Sequence, residues 1–191
     1  PGRLAAVNRR LNREWPMERI EQHPFRPIRA VEERRRAGVL DLLSVRPGER
    51  VLDVGSGGGA YLRRLAAAGA RPVALDVDAG VLRGREAPAV AAAAEALPFR
   101  EGAFPRAILA EVLEHCPEPS RTLEEVLRVV SPGGCLALSV PDDRRILAVK
   151  RFLRRLGLRG LFAGLPEDRA PGHLHVFDAR GLRRLLEGAG A

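Results

Sequence analysis

A chain of 191 residues, 46% of them hydrophobic, is sized for one globular domain burying roughly 70% of its unfolded surface. The net charge of +8 is arginine scattered over both halves, with Lys150 the single lysine; it describes a solvated surface and argues against nucleic acid as a partner. Two cysteines without metal-ligand spacing, Cys116 and Cys135, predict a reduced, cytoplasmic protein, and neither a bilayer-spanning run nor a signal-peptide core is found.

Residues 1–30 hold prolines 16, 24 and 27 and the sole tryptophan, Trp15, which predicts a short helix and then irregular chain. Val31 to Val45 places apolar residues at 31, 39, 40, 42 and 43 with charges at 32 to 36, an amphipathic helix for a sheet edge. Arg46-Pro47-Gly48 ends it. Val51 to Val54 then reads as a buried strand, Gly55 to Gly59 as a tight turn, and Tyr61 to Ala68 as a helix.

The chain alternates from there. Pro72 to Leu75 is a second strand ending at Asp76, Ala79 to Arg85 a short helix, and Ala89 to Ala93 a third strand. Arg106 to Glu111 makes a fourth strand, Pro119 to Val130 a helix, and Gly134 to Val140 a fifth strand. This alternation predicts parallel βαβ units with helices on both faces. Residues 143–158 have a basic amphipathic pattern, that of a lid packed by its apolar face with its arginines in water or, as the second reading, of a helix in peripheral contact with an anionic membrane. A last helix runs from Asp178, an N-cap, to Glu187.

In an open parallel sheet, ligands sit outside the carboxyl ends of the strands. Gly55-x-Gly57-x-x-Ala60 fits the dinucleotide fingerprint, so a nicotinamide or flavin cofactor is one reading of the turn. Asp53, two residues before the first glycine, shifts the choice. A carboxylate there repels a pyrophosphate and attracts a sulfonium and an ammonium, which points to S-adenosylmethionine over NAD. Asp76, 21 residues after Gly55, is placed to accept ribose hydroxyls. Backbone groups of Ala94-Glu95-Ala96 and the Glu95 side chain are placed to line an adenine pocket. Glu111 and His115, four apart, share one side if the fourth strand gives way to a helical turn; Glu114 is expected to cap or to face solvent.

Taken in order, Val51-Leu-Asp53-Val-Gly55-Ser-Gly57-Gly-Gly59, Leu75-Asp76-Val-Asp78, Ala94-Glu-Ala-Leu-Pro98-Phe99, Glu111-Val-Leu-Glu-His115, Pro132-Gly-Gly134 and His173-Leu-His175-Val-Phe177 resemble the class I S-adenosylmethionine-dependent methyltransferases. The pattern is most like the broad group containing the ubiquinone and menaquinone biosynthesis methyltransferases. The resemblance covers about residue 31 to the end. It implies a Rossmann-like three-layer sandwich with a mostly parallel, seven-stranded sheet. It also implies Asp53, Gly55, Ser56, Gly57 and Gly59 at the methionine part of the cofactor, Asp76 with Val77 on the ribose, Ala94, Glu95 and Ala96 near the adenine, and Glu111 toward the reactive end.

Two departures stand out. Many relatives carry an Asp where this chain has Ala93, so backbone groups or Glu95 must substitute at the base. The family's last helix is followed by two more strands, whereas this sequence stops at Ala191. The expectation is therefore an amino-terminal segment over 1–30 and a methyltransferase domain over 31–191, with a lid insertion at about 143–171, a truncated carboxyl terminus and the last two strands missing.

A methyl on sulfur is already activated, so the expected mechanism is an in-line SN2 displacement in a dry cleft. His115 is the candidate proton acceptor, because an imidazole titrates near neutral pH. Some relatives use a similar acid and histidine set with magnesium, which would draw on Glu111, Glu114 and His115 with His173 or His175; spacing alone does not establish this, and the predicted site holds no metal. Cys116 beside His115 is discounted as a nucleophile. The predicted function is methyl transfer to a small molecule, at oxygen or carbon, since no Asn-Pro-Pro-Tyr motif follows the fourth strand. A nicotinamide-dependent oxidoreductase and an inactive, truncated binding module are the two alternatives.

Overall fold

The computed structural model describes residues 26–142, 148, 151–152, 154–157 and 173–190. Within them β1 (Arg50–Val54), β2 (Arg71–Asp76), β3 (Ala89–Ala91), β4 (Phe104–Ala110) and β5 (Val130–Ser139) form one sheet in the order β3-β2-β1-β4-β5. Every neighbouring pair is parallel, with Asp53 opposite Ala74 on one side and Ile108 on the other. Helices α1 (Arg26–Leu43), α2 (Ala60–Ala67), α3 (Pro119–Val129) and α4 (Ala179–Gly188), with a 3-10 turn over Leu113–His115, complete the described elements.

The pleat sorts side chains to two faces. On one face Val51 and Ile108 pack with Val39 and Leu43 of α1 and Tyr61 and Leu65 of α2. On the other, Leu52, Val54, Leu75 and Leu109 pack with Val126 and Val129 of α3 and, toward the edge, Leu182 and Leu185 of α4. The result is the three-layer sandwich that the alternation predicts. Asp53 has the parity of Val51, so its carboxyl looks toward α1 and α2. The chain leaves β1 toward β2 on one side and reaches β4 on the other, so the strand order reverses between β1 and β4 and leaves a crevice at their carboxyl ends.

Several expectations change. Helix α1 starts at Arg26, five residues early, since Pro27 falls in the first turn, where no amide is needed. Strand β5 starts at Val130, with a register shift against Phe104 and Arg106 that takes up Pro132-Gly133. The helix expected over Ala79–Arg85 is a run of turns, closed by Val81 N to Asp78 O, Arg83 N to Gly80 O and Arg85 N to Leu82 O at 3.1–3.4 Å. Gly80 and Gly84, the latter at φ +71°, oppose a helix there, and Asp78 bonds the Gly80 amide at 2.9 Å in place of a helical turn. The amino-terminal helix ahead of residue 26 and most of the lid at 143–171 lie outside the described residues; 151, 152, 154 and 155 are helical. Asp178 caps α4 as expected, accepting from the Gly181 amide at 2.8 Å.

Candidate active site

The turn after β1 is held from within. The amides of Gly55 and Ser56 donate to the Leu75 carbonyl at 2.8 and 2.9 Å, Gly59 N to Ser56 O at 2.7 Å, and Gly57 N to Asp76 Oδ2 at 3.0 Å. Gly55 has φ +70°, and a Cβ there would drive into Val112, so both backbone and space require glycine. Above Gly57 and Gly58 a Cβ would meet nothing closer than 3.9 Å, leaving a bare peptide surface.

Buried polar atoms without hydrogen-bond partners ring this surface: Asp53 Oδ2, Ser56 Oγ and the Tyr61 hydroxyl. The Asp53 carboxyl is pushed up to about 7, chiefly by burial and then by the Asp76 carboxylate, against the pull of the Arg85 guanidinium. Asp76 is also raised, mainly by burial, although the amides of Asp78 and Gly57 hold it down; its Oδ1 accepts Asp78 N at 2.9 Å. Each Asp76 oxygen keeps a second lone pair for a hydroxyl donor. An acidic loop whose Gly55, Ser56, Gly57 and Gly59 amides are already committed fits a cationic, ribose-bearing cofactor. It does not fit a pyrophosphate, which requires free amides.

Val77 follows Asp76 at the crevice rim, half-buried. Residues 93–96 form a turn, Ala96 N to Ala93 O at 3.2 Å, half-buried except for exposed Ala96. Glu95 Oε1 is buried without a hydrogen-bond partner. Helix α3 orders this segment: Arg121 Nε donates to Glu95 O at 3.1 Å, Glu125 Oε2 accepts Leu97 N at 2.9 Å, and Arg128 donates to Leu97 O and Phe99 O at 3.2 and 2.9 Å.

At the end of β4, Glu111 has φ +57°, a conformation costing a non-glycine residue about 1 kcal/mol or more. A network retains it. Arg35 of α1 donates to Ser139 Oγ at 3.0 Å and lies 3.4 Å from Glu111 Oε1, and Ser139 Oγ donates to Glu111 Oε1 at 3.2 Å. Arg35 also grips Glu32 at 2.6 and 3.1 Å. Burial raises the Glu111 carboxyl, with Arg35, Ser139 and His173 opposing.

The 3-10 turn brings His115 and Glu114 together, Nε2 to Oε1 at 4.0 Å, and the His173 ring meets His115 edge-on at 4.9 Å. Glu114 is 1% exposed, so it does not face solvent; the 3-10 turn carries it inward. The amides of Leu174 and His175 donate to the Glu114 carbonyl at 2.7 and 3.2 Å, which aims His173 at the cluster and sends the His175 ring toward Phe177. Ligand atoms of Glu114, His115 and His173 all lie within 4.8 Å of one another, a mixed oxygen and nitrogen set able to take a divalent cation. Cys116, also in this region, is buried, its thiol pushed up to about 12 chiefly by burial. It is no thiolate nucleophile.

The structure adds Tyr61, Arg35, Ser139 and Arg85 to the residues singled out from sequence. Only Tyr61, the one tyrosine of the chain, in the first turn after the glycines, carried a local signal.

A methyltransferase domain family profile matches residues 52–138. The chain is 38% identical over 106 residues to a demethylmenaquinone methyltransferase of Renibacterium salmoninarum, an alignment covering 53% of this chain and 45% of that one. It is 30% identical over 150 residues to a ubiquinone biosynthesis O-methyltransferase of Paracidovorax citrulli, covering 73% and 61%. It therefore spans about half the length of the curated relatives it matches. A solved S-adenosylmethionine-dependent methyltransferase of Methanosarcina mazei superposes with TM-score 0.59 at 22% identity, over 80% of this chain and 82% of that one.

Proposed function

We propose that this chain is a class I S-adenosylmethionine-dependent methyltransferase, a reading that the methyltransferase domain profile over residues 52–138 and the likeness to demethylmenaquinone and ubiquinone biosynthesis methyltransferases support, and that it transfers the donor's methyl group to a small-molecule acceptor. The observation that carries this reading is the buried, unpartnered Asp53 oxygen beside a glycine loop whose bonded amides point inward. Asp53, Ser56, Gly57 and Tyr61 would hold the amino-acid end of S-adenosylmethionine, Asp76 the ribose, and residues 94–96 the base. When bound, the donor supplies a methyl already activated by positive sulfur. Asp53 then acts as the counter-charge, Glu111 and Arg35 shape the reactive end, and the crevice excludes water. His115 Nε2 accepts the acceptor's proton where the nucleophile is a hydroxyl, with buried Glu114 stabilising the imidazolium.

Oxygen or carbon is the nucleophile we favour. The relatives' names attach them to demethylmenaquinone and to O-methylation in ubiquinone biosynthesis, which supports a quinone-related acceptor. Among the described residues no helix is long and apolar enough to cross a membrane. Exposed Phe152 and Leu156 beside exposed Arg151, Arg154 and Arg155 support peripheral contact instead. Liposome co-sedimentation unaffected by replacing the three arginines would remove it.

A second reading at the acceptor side is a divalent cation on Glu114, His115 and His173, supported by their convergence. The primary test is thermal stabilisation. S-adenosylhomocysteine raises the melting temperature and NAD does not; stabilisation by NAD alone would sink the reading.

A further inference from the structure

Residue 85 lies beyond every motif that points to the site, nine positions past Asp76 at the end of the turns after β2. Its guanidinium nonetheless sits on the glycine loop. Nη2 donates to Gly57 O and Nη1 to Gly58 O, each at 2.7 Å, while Nε donates to Val81 O at 3.0 Å and anchors the side chain to its own turn. A Cβ on Gly59 would lie 2.6 Å from Nη1, so the third glycine leaves the space that this fork fills.

We infer that Arg85 is a positioning residue for the donor: by holding the Gly57 and Gly58 carbonyls it fixes the loop conformation on which donor affinity depends. The inference rests on the donor reading given above. Gly57, Gly58 and Gly59 have more backbone freedom than any other residue type. Ordering each therefore costs backbone entropy that contacts must offset. Gly59 caps α2 without a side-chain hydrogen bond, and the local devices, Gly59 N to Ser56 O at 2.7 Å and Arg63 Nη1 to Gly58 O at 3.5 Å, order only part of the loop. The chain supplies two remote ones from the same connection: Asp76 takes the Gly57 amide and Arg85 its carbonyl, pinning that residue from both sides. Lysine would not substitute, since only a planar fork reaches two adjacent carbonyls while bonding a third.

Charge gives an independent readout. The groups facing Asp53 are Asp76 from the end of β2, Arg85 from the turn, and the Tyr61 phenol of α2, behind which lie Glu32, Arg35 and Arg36 of α1. Arg85 is the cation that opposes Asp76 there, so removing it moves the ionisation of Asp53, and with it donor binding, to higher pH.

The test is calorimetric titration of S-adenosylhomocysteine from pH 5.5 to 8.5 into the wild type, Arg85→Met and Arg85→Lys, with amide hydrogen exchange of residues 57–60 measured without ligand. Arg85→Met is expected to bind about tenfold more weakly at pH 7, as for a lost charged hydrogen bond. Its pH midpoint for binding moves upward, and its loop amides exchange at least about tenfold faster. Arg85→Lys restores the midpoint but not the exchange protection. Affinity within about twofold of wild type at an unchanged midpoint overturns the inference, and so does unchanged exchange, whatever binds. A wild type that protects its loop through Arg85 but binds no S-adenosylhomocysteine overturns the donor reading alone.

Discussion

Asp76 and Gly57, 19 residues apart, are joined by a 3.0 Å hydrogen bond from the loop amide to Oδ2, while Oδ1 takes the amide of Asp78. The carboxylate expected on the ribose is thus also the keystone of the glycine loop and of the turn beyond it. Asparagine in its place sets a side-chain NH2 against one of two backbone N–H groups. Asp76→Asn should weaken S-adenosylhomocysteine binding about tenfold or more, as for a lost hydrogen bond to a charged group, and should speed exchange of the Gly57 or Asp78 amide. Retained protection at both amides would refute the keystone role.

Asp53 should give opposite pH slopes for stability and for binding. Its folded carboxyl, near 7, lies above the ordinary 3.8, so between those values the folded state binds more protons than the unfolded. Its contribution to stability is complete below about pH 4 and declines until about pH 7. A cationic ligand prefers the ionised carboxylate, so affinity climbs over pH 5.5–8. Asp53→Asn should raise the midpoint of urea denaturation at pH 8 relative to pH 5 and weaken ligand binding at pH 8; wild-type parallelism in both would contradict this.

Arg35 and Glu111 should be energetically coupled. The side chains are 24% and 26% exposed, so the pair is partly screened. Arg35→Met leaves Glu111 and Glu32 without their shared cation and should cost about 1–3 kcal/mol. Adding Glu111→Gln should recover part of that, giving a double-mutant coupling of about 0.5–2 kcal/mol in denaturant titrations. Additive effects would show that the Arg35–Glu111 pair does not help tie α1 to the end of the sheet.

The convergence of Glu114, His115 and His173 makes a metal prediction. Mn²⁺ or Zn²⁺ should raise the melting temperature of the wild type and not of His173→Ala or Glu114→Gln. The gain should shrink at lower pH, where protons compete with the metal for its ligands. No shift in the wild type would leave His115 with only its proton-acceptor role.

Much of this site was legible because short-range chemistry writes it. Val51-Leu52-Asp53-Val54 followed by Gly55, Gly57 and Gly59 has one compact solution, strand then turn then helix. Asp76 ends the next apolar run for the same reason. The Ala79–Arg85 segment misled because its apolar spacing is helical while Gly80, Gly84 and Asp78 make turns cheaper. Glu114 misled because its direction depends on the 3-10 turn, which a strand-end reading leaves open.

By itself the sequence determined the parallel βαβ order, the glycine turn and the acids at the ends of β1 and β2, since hydrophobic period and backbone sterics act over a few residues. Only the tertiary structure decided that Arg85 holds Gly57 and Gly58, that Arg35 reaches Glu111 and Ser139 across the sheet end, and that His173 rather than His175 joins Glu114 and His115. Those partners lie from 27 to 104 positions apart along the chain wherever Arg85 or Arg35 is the donor. Crossover connections and strand order bring them together, and no local propensity encodes either.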